Sequence, residues 1–128
     1  MSDNTYDYIV VGAGSSGSVI ASRLSENPDV KVLLLEAGGS DNNLRIKTPA
    51  GTITLYTSKT YSWNYFSVPQ KEMNNREMHC PRGKALGGSA SMNSMLYIRG
   101  HASDYERWKD AGCEGWGWDD VLPYFRKS

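Results

Sequence analysis

The apolar run Tyr8-Ile9-Val10-Val11 stops abruptly at Gly12-Ala13-Gly14-Ser15-Ser16-Gly17, and no other feature restricts the fold of this chain as much. β-Branched and aromatic residues favour a pleated strand, and the run of small residues forces a tight turn. From Ser18 to Ser25 the positions of Val19, Ile20, Ala21 and Leu24 predict a helix with one buried face, stopped by Asn27-Pro28-Asp29. Val30 to Leu35 reads as a second strand ending at Glu36, with Ala37-Gly38-Gly39 after it. Strand, glycine turn, helix and strand over residues 6–36 make a βαβ unit, which is expected to be right-handed with parallel strands.

Gly12, Gly14 and Gly17 fit the spacing G-x-G-x-x-G. In that pattern the first glycine makes the turn, the second lets backbone approach a pyrophosphate, and the third lets helix and strand pack closely. The helix N-terminus then meets the phosphates with unpaired N–H groups and the positive end of its dipole. Glycine turns alone are common. Here the turn follows a strand, opens a helix and is answered 19 residues after Gly17 by Glu36, where a carboxylate accepts from ribose hydroxyls. The arrangement predicts a dinucleotide site over Gly12, Ala13, Gly14, Ser15, Ser16, Gly17, Glu36 and Ala37, and the acidic Glu36 disfavours a 2′-phosphate. NAD and FAD share this fingerprint, so these residues do not choose between them.

Charge narrows the partners. Fourteen basic residues balance 14 acidic ones, with a pI near 6.7, so no positive field exists to hold a nucleic acid. No apolar run approaches the length of a membrane span. Met1-Ser2-Asp3-Asn4 is polar, without the basic start and apolar stretch of an export signal, which points to the cytoplasm. Cys80 and Cys113 lie outside any C-x-x-C spacing and are expected to be free thiols.

Beyond Gly39 the periodicity weakens. Ser40 to Lys47 reads as polar and turn-like, and Trp63 to Val68 as one short strand. Ser103 and Glu106 have capping-box spacing, predicting a helix from about Asp104 to Ala111 with Gly112 as its stop. A last helix is expected from near Asp119, with Pro123 tolerated within about its first turn. His79 and His101, the two histidines, read as surface or capping residues.

A second glycine loop, Arg82-Gly83-Lys84-Ala85-Leu86-Gly87-Gly88-Ser89-Ala90-Ser91-Met92-Asn93, runs into Ser94-Met95-Leu96-Tyr97-Ile98-Arg99, read as a loop entering a helix or a short buried element. Gly83, Gly87 and Gly88 remove side chains where backbone could approach a ligand, and Arg82 and Lys84 offer charge near a pyrophosphate; a basic surface loop is the alternative. Residues 82–104 resemble the first sequence motif of the glucose-methanol-choline (GMC) oxidoreductases, FAD-dependent alcohol-oxidising enzymes. The opening Y-D-Y-I-V-V-G-A-G-S-S-G, V-L-L-L-E-A-G-G, Trp63-Asn64-Tyr65 and W-G-W-D-D-V-L-P-Y-F-R-K are similar to the choline dehydrogenase and alcohol dehydrogenase branch.

The resemblance implies an α/β fold: a Rossmann-like FAD-binding βαβ unit with an incomplete parallel sheet and C-terminal helices. It adds Trp63, Arg82, Gly83, Gly87, Gly88, Ser89, Asn93, Ser94, Met95 and Leu96 as flavin-side residues, with Asn93 close to the isoalloxazine ring and a helix N-cap as the alternative for Asn93. Some members attach FAD through a His one position before that Asn; here the position is Met92, so non-covalent FAD is expected. In the family a distant C-terminal His takes the proton from a small-molecule alcohol, hydride passes to flavin N5, and oxygen or a quinone reoxidises the flavin. No such His is present, and the chain ends at Arg126-Lys127-Ser128 inside an expected helix. Residues 1–128 therefore read as the N-terminal part of a FAD-binding domain, with the βαβ unit at 6–36 and the motif loop and helices at 82–128. The substrate domain, the rest of the FAD domain and any catalytic residue lie elsewhere. A non-catalytic dinucleotide-binding or interaction module and an NAD-dependent dehydrogenase fragment are the competing readings.

Overall fold

Strand β1 (Tyr8–Val11) and strand β2 (Val32–Leu35) pair in parallel, with Tyr8 opposite Val32 and Val11 opposite Leu35. The computed structural model describes residues 5–128; the Met1–Asn4 start, on which the expectation of an unexported chain rests, lies outside them. Helix α1 (Ser15–Leu24) connects the two strands. The predicted βαβ unit is therefore present, but α1 begins three residues earlier than its apolar pattern indicates. The reason lies in the turn: Gly14 is already the N-cap, so Ser15, Ser16 and Gly17 form the helix's first residues. Both strands are also shorter at their N-terminal ends than expected, because Asp7 and Lys31 pair through a single backbone bond and the Asp7 carboxylate rather than a continued ladder.

The stretch beyond β2 holds more helix than the sequence suggests. Asn43 caps α2 (Leu44–Lys47), a 3₁₀ turn covers Pro49–Gly51, and α3 (Thr52–Tyr56) follows directly. These pieces are too short for an amphipathic period to register. Trp63–Val68 does contain a strand, β3 (Tyr65–Phe66), but it pairs antiparallel with β4 (His79–Cys80) and does not join β1 and β2. Residues 88–92 form a 3₁₀ turn.

Two units divide the chain after Met95. In the first, the buried apolar residues are Ala13, Leu55, Ala85 and Met92, together with the polar Ser62. That core lies under the glycine loops and α3. By contrast, the sheet is open: Ile9 is 59% and Val11 82% exposed.

Ser94 to Arg99 does not become the expected helix or buried element, and in the second unit residues 96–98 are exposed and irregular. Helix α4 (Ala102–Asp110) is capped by His101 rather than Ser103. The His101 side chain accepts from the Ser103 N–H while Asp104 accepts from the His101 N–H, so the box runs two residues upstream of the predicted one. Gly112, at φ +98°, follows the helix end as expected. Helix α5 (Trp118–Lys127) starts one residue earlier than expected, with Asp120 accepting from the Gly117 N–H. Pro123 is its sixth residue, beyond the first turn, and tolerated because it and Asp119, whose carbonyl it cannot bond, face solvent. Tyr105 on α4 meets Trp118 and Phe125 on α5 through tilted and edge-on ring contacts, with Trp108 edge-on to Tyr105 along α4. No helix among the described residues is long and apolar enough to cross a membrane.

Candidate cofactor site

The three glycines of the first turn do different work, and the spaces around them show how. Gly12 turns the chain at φ +94°, a conformation that side chains resist. A Cβ on Gly14 would meet no atom within 4 Å, so its face is open to a ligand. A Cβ on Gly17 would collide with the Gly12 carbonyl and touch Val10, so here absence of a side chain lets helix and strand close up. Above Gly14 the N-terminus of α1 has no side-chain cap and no acidic residue in its first turn. Its leading amides have no intrahelical acceptors and remain available to an anion.

Glu36 follows directly on β2, and both of its oxygens are engaged: Oε2 accepts from the Ala13 N–H and Oε1 from the Gly38 N–H, each at 2.8 Å. The carboxylate predicted as a ribose acceptor is therefore also a clasp between the glycine turn and the second strand. A carboxylate has about four acceptor positions, so these two bonds leave capacity for hydroxyls.

The second glycine loop comes to the first. The Gly87 N–H donates to the Ala13 carbonyl at 2.8 Å, and a Cβ on Gly88 would lie 2.9 Å from the Gly14 Cα. Gly39 bridges Ala85, and Leu86 N–H donates to Gly39 O at 2.9 Å, while a Cβ on Gly38 would strike the Lys84 backbone. The loop is also folded on itself: Gly83 N–H donates to Ser89 Oγ at 3.0 Å, and a Cβ on Gly83 would collide with Gly88.

Between these parts lies a cavity of about 520 Å³ lined by Val11, Gly12, Gly14, Leu35, Glu36, Ala37, Trp63, Gly83 and Gly88. It gathers residues from both glycine loops, β2 and the segment before β3. Trp63 is held by the Lys84 ammonium, 4.5 Å from its ring centre, and by near-parallel stacking on Tyr65. Lys84, read from the sequence as a charge near a pyrophosphate, is thus directed at an indole. A second cavity of about 350 Å³ is lined by Tyr56, Pro81, Arg82, Ser89, Met92, Asn93 and Ser94.

The sequence-predicted residues divide accordingly. Gly12, Gly14, Glu36, Ala37, Trp63, Gly83 and Gly88 line the first cavity, and Arg82, Ser89, Asn93 and Ser94 the second. Ala13 is buried beneath the turn, Gly17 and Gly87 shape the backbone, and Ser15 and Ser16 are exposed on the first turn of α1. Arg82 directs one guanidinium nitrogen to the Pro81 carbonyl. Asn93 is not an N-cap: it follows the 3₁₀ turn, and its Oδ1 accepts from the Met95 N–H at 2.7 Å. Met95 is exposed in the first unit, and Leu96, in the second, is 81% exposed. Val11 and Leu35 of the first cavity and Tyr56 and Pro81 of the second were missed; nothing in a mixed stretch of threonines and tyrosines marks Tyr56 before its neighbours in space are known. Neither histidine lines either of these two cavities: His79 stacks on Phe66 and hydrogen-bonds Asn64 at 3.1 Å, and His101 caps α4.

Comparison with known proteins agrees with this architecture. The chain is 48% identical over 126 residues to the oxygen-dependent choline dehydrogenase of Photobacterium profundum, an alignment covering 98% of this chain and 22% of that relative. The crystal structure of pyridoxine 4-oxidase from Mesorbium loti superposes with a TM-score of 0.87 at 43% identity, over 94% of this chain and 24% of that one. A variant of Aspergillus oryzae RIB40 formate oxidase, made to follow modification of its FAD, superposes with a TM-score of 0.86 at 38% identity, over 96% and 22% of the two chains. This chain thus spans less than a quarter of each of these proteins. The sequence model of GMC oxidoreductases matches residues 6–128, and with both glycine loops in place around one cavity the chain belongs to the GMC oxidoreductase family.

Proposed function

We propose that this chain is the FAD-binding portion of an enzyme that oxidises a small-molecule alcohol, choline or an aliphatic alcohol, with the cofactor held without a covalent bond. The observation that carries the reading is the meeting of two glycine loops, Gly14 against Gly88, over an uncapped helix N-terminus. One loop suffices for a nicotinamide dinucleotide fingerprint; the second supplies another stretch of close backbone and a further cavity for a larger, ring-bearing end.

In this reading the first-turn amides of α1 meet the diphosphate, Glu36 accepts from the ribose, and Trp63 walls the same cavity. Gly83, Gly87, Gly88 and Ser89 bring backbone and one hydroxyl to the cofactor, and Arg82, Asn93, Ser94 and Met95 lie toward its reacting ring. Bound there, FAD supplies the two-electron acceptor for hydride from the carbinol carbon. The base that takes the hydroxyl proton is assigned outside these residues, because His79 and His101 are both committed to local contacts. Oxygen or a quinone is the proposed electron acceptor.

The test uses the full-length protein. Reconstituted with FAD it should show the flavin absorption bands and lose them on adding an alcohol under anaerobic conditions, whereas Gly14→Val, which fills the open face, should abolish FAD binding. Saturable binding of NAD with no retention of FAD would overturn the assignment.

A further inference from the structure

Helix α3 presents two hydroxyls one turn apart, and both reach the same short stretch of chain. Residues at i and i+4 share a helix face, which brings Thr52 and Tyr56 into line. Thr52 Oγ1 donates to the Asn93 carbonyl at 3.3 Å, and the Tyr56 hydroxyl pairs with Ser94 Oγ at 2.7 Å. Leu55, 1% exposed, anchors this small helix in the core. The stretch it holds is not ordinary backbone. Met95 sits at φ +56°, where a residue with a side chain is uncommon, and Asn93 turns its own amide oxygen onto the Met95 N–H. Backbone of this kind persists where its surroundings over-determine it.

The chemistry of the Tyr56–Ser94 pair has a direction. Either hydroxyl can donate, and the phenol, a stronger acid than an aliphatic alcohol, is the better donor to Ser94. The serine proton is then left for an acceptor in the second cavity, which Tyr56, Met92, Asn93 and Ser94 all line. Without the phenol, Ser94 is free to rotate its proton elsewhere.

We propose that Tyr56 is a positioning residue: by its hydrogen bond to Ser94, with Thr52 fixing the adjoining carbonyl, it holds the Asn93–Ser94 pair with the serine proton directed at the reacting end of the flavin or at the alcohol oxygen. This rests on the assignment of residues 87–95 to the flavin made above. The phenol acts through Ser94 and touches neither reactant.

The experiment compares Tyr56→Phe, Ser94→Ala and the double variant in the full-length, FAD-loaded protein. Flavin reduction by alcohol is followed in stopped flow, with the flavin absorption spectrum and the melting temperature. Each single variant should slow reduction by about two- to tenfold, the worth of one hydrogen bond. The double variant should be no slower than Ser94→Ala alone, and Tyr56→Phe should shift the flavin bands as Ser94→Ala does. The loss should fall on kcat more than on KM. Thr52→Val, which keeps the ring and its hydroxyl, should slow reduction less than Tyr56→Phe. If Ser94→Ala changes rate and spectrum while Tyr56→Phe changes neither, or if their effects simply add, the positioning role is wrong and the flavin assignment stands. If no variant alters the spectrum or the rate, both are overturned.

Discussion

Glu36 carries two kinds of interaction, and they separate on mutation. Replacing it with Ala removes the proposed ribose acceptor and both bonds of the clasp to Ala13 and Gly38. A hydrogen bond to a charged group contributes about 1.5–3 kcal/mol, so FAD affinity should fall by roughly ten- to a hundredfold in the full-length protein. Titration followed by flavin fluorescence checks this; unchanged affinity for Glu36→Ala would show that the ribose is held elsewhere. Glu36→Gln should also weaken binding, because its amide nitrogen must face one of two backbone donors and cannot accept. Met92 gives a second residue-scale outcome. Its thioether is 5% exposed and offers no ring nitrogen for a flavin linkage. Acid precipitation of the FAD-loaded protein should therefore leave all flavin in the supernatant, and flavin retained in the pellet would contradict the non-covalent reading.

Among the elements, α1 depends most on a missing side chain. A methyl group on Gly17 meets the Gly12 carbonyl, and backbone cannot swing aside as a flexible side chain can. Gly17→Ala should cost about 1–3 kcal/mol of stability by forcing helix and turn apart, with FAD affinity reduced in parallel. Thermal unfolding and FAD titration of the same preparation check both. The turn at Gly12 and the close packing at Gly17 were legible from spacing alone, because each leaves a glycine at a fixed offset. Glu36 was legible as an acceptor, whereas its clasp on the turn depends on the Ala13 amide coming within reach, which no local pattern encodes. Helix α3 was not legible. Five residues contain barely one turn, and its value comes from Thr52 and Tyr56 meeting residues distant in sequence. The start of α4 was misplaced for a related reason: a histidine took the capping position where serine is the usual choice, and the serine beside it drew the assignment.

On the scale of the whole molecule, the βαβ unit pairs two strands among the described residues, and apolar residues on them stay in contact with solvent. Parallel sheets are ordinarily covered on both faces, and folded stability is a small difference between large terms. Each large apolar side chain left uncovered forgoes about 1.5–3 kcal/mol. Residues 1–128 produced alone should therefore be poorly soluble or molten, hold FAD weakly and oxidise no alcohol. Dye binding to exposed apolar surface and loss of near-ultraviolet circular dichroism would report that state; a sharp cooperative melt would contradict it. The bond from Gly87 to Ala13 has a consequence in time. On the ribosome, at about 5–20 residues per second, the first loop emerges several seconds before its partner. Through that interval the Ala13 carbonyl lacks the Gly87 N–H, so the two-loop cradle proposed for the flavin closes only after the second loop arrives.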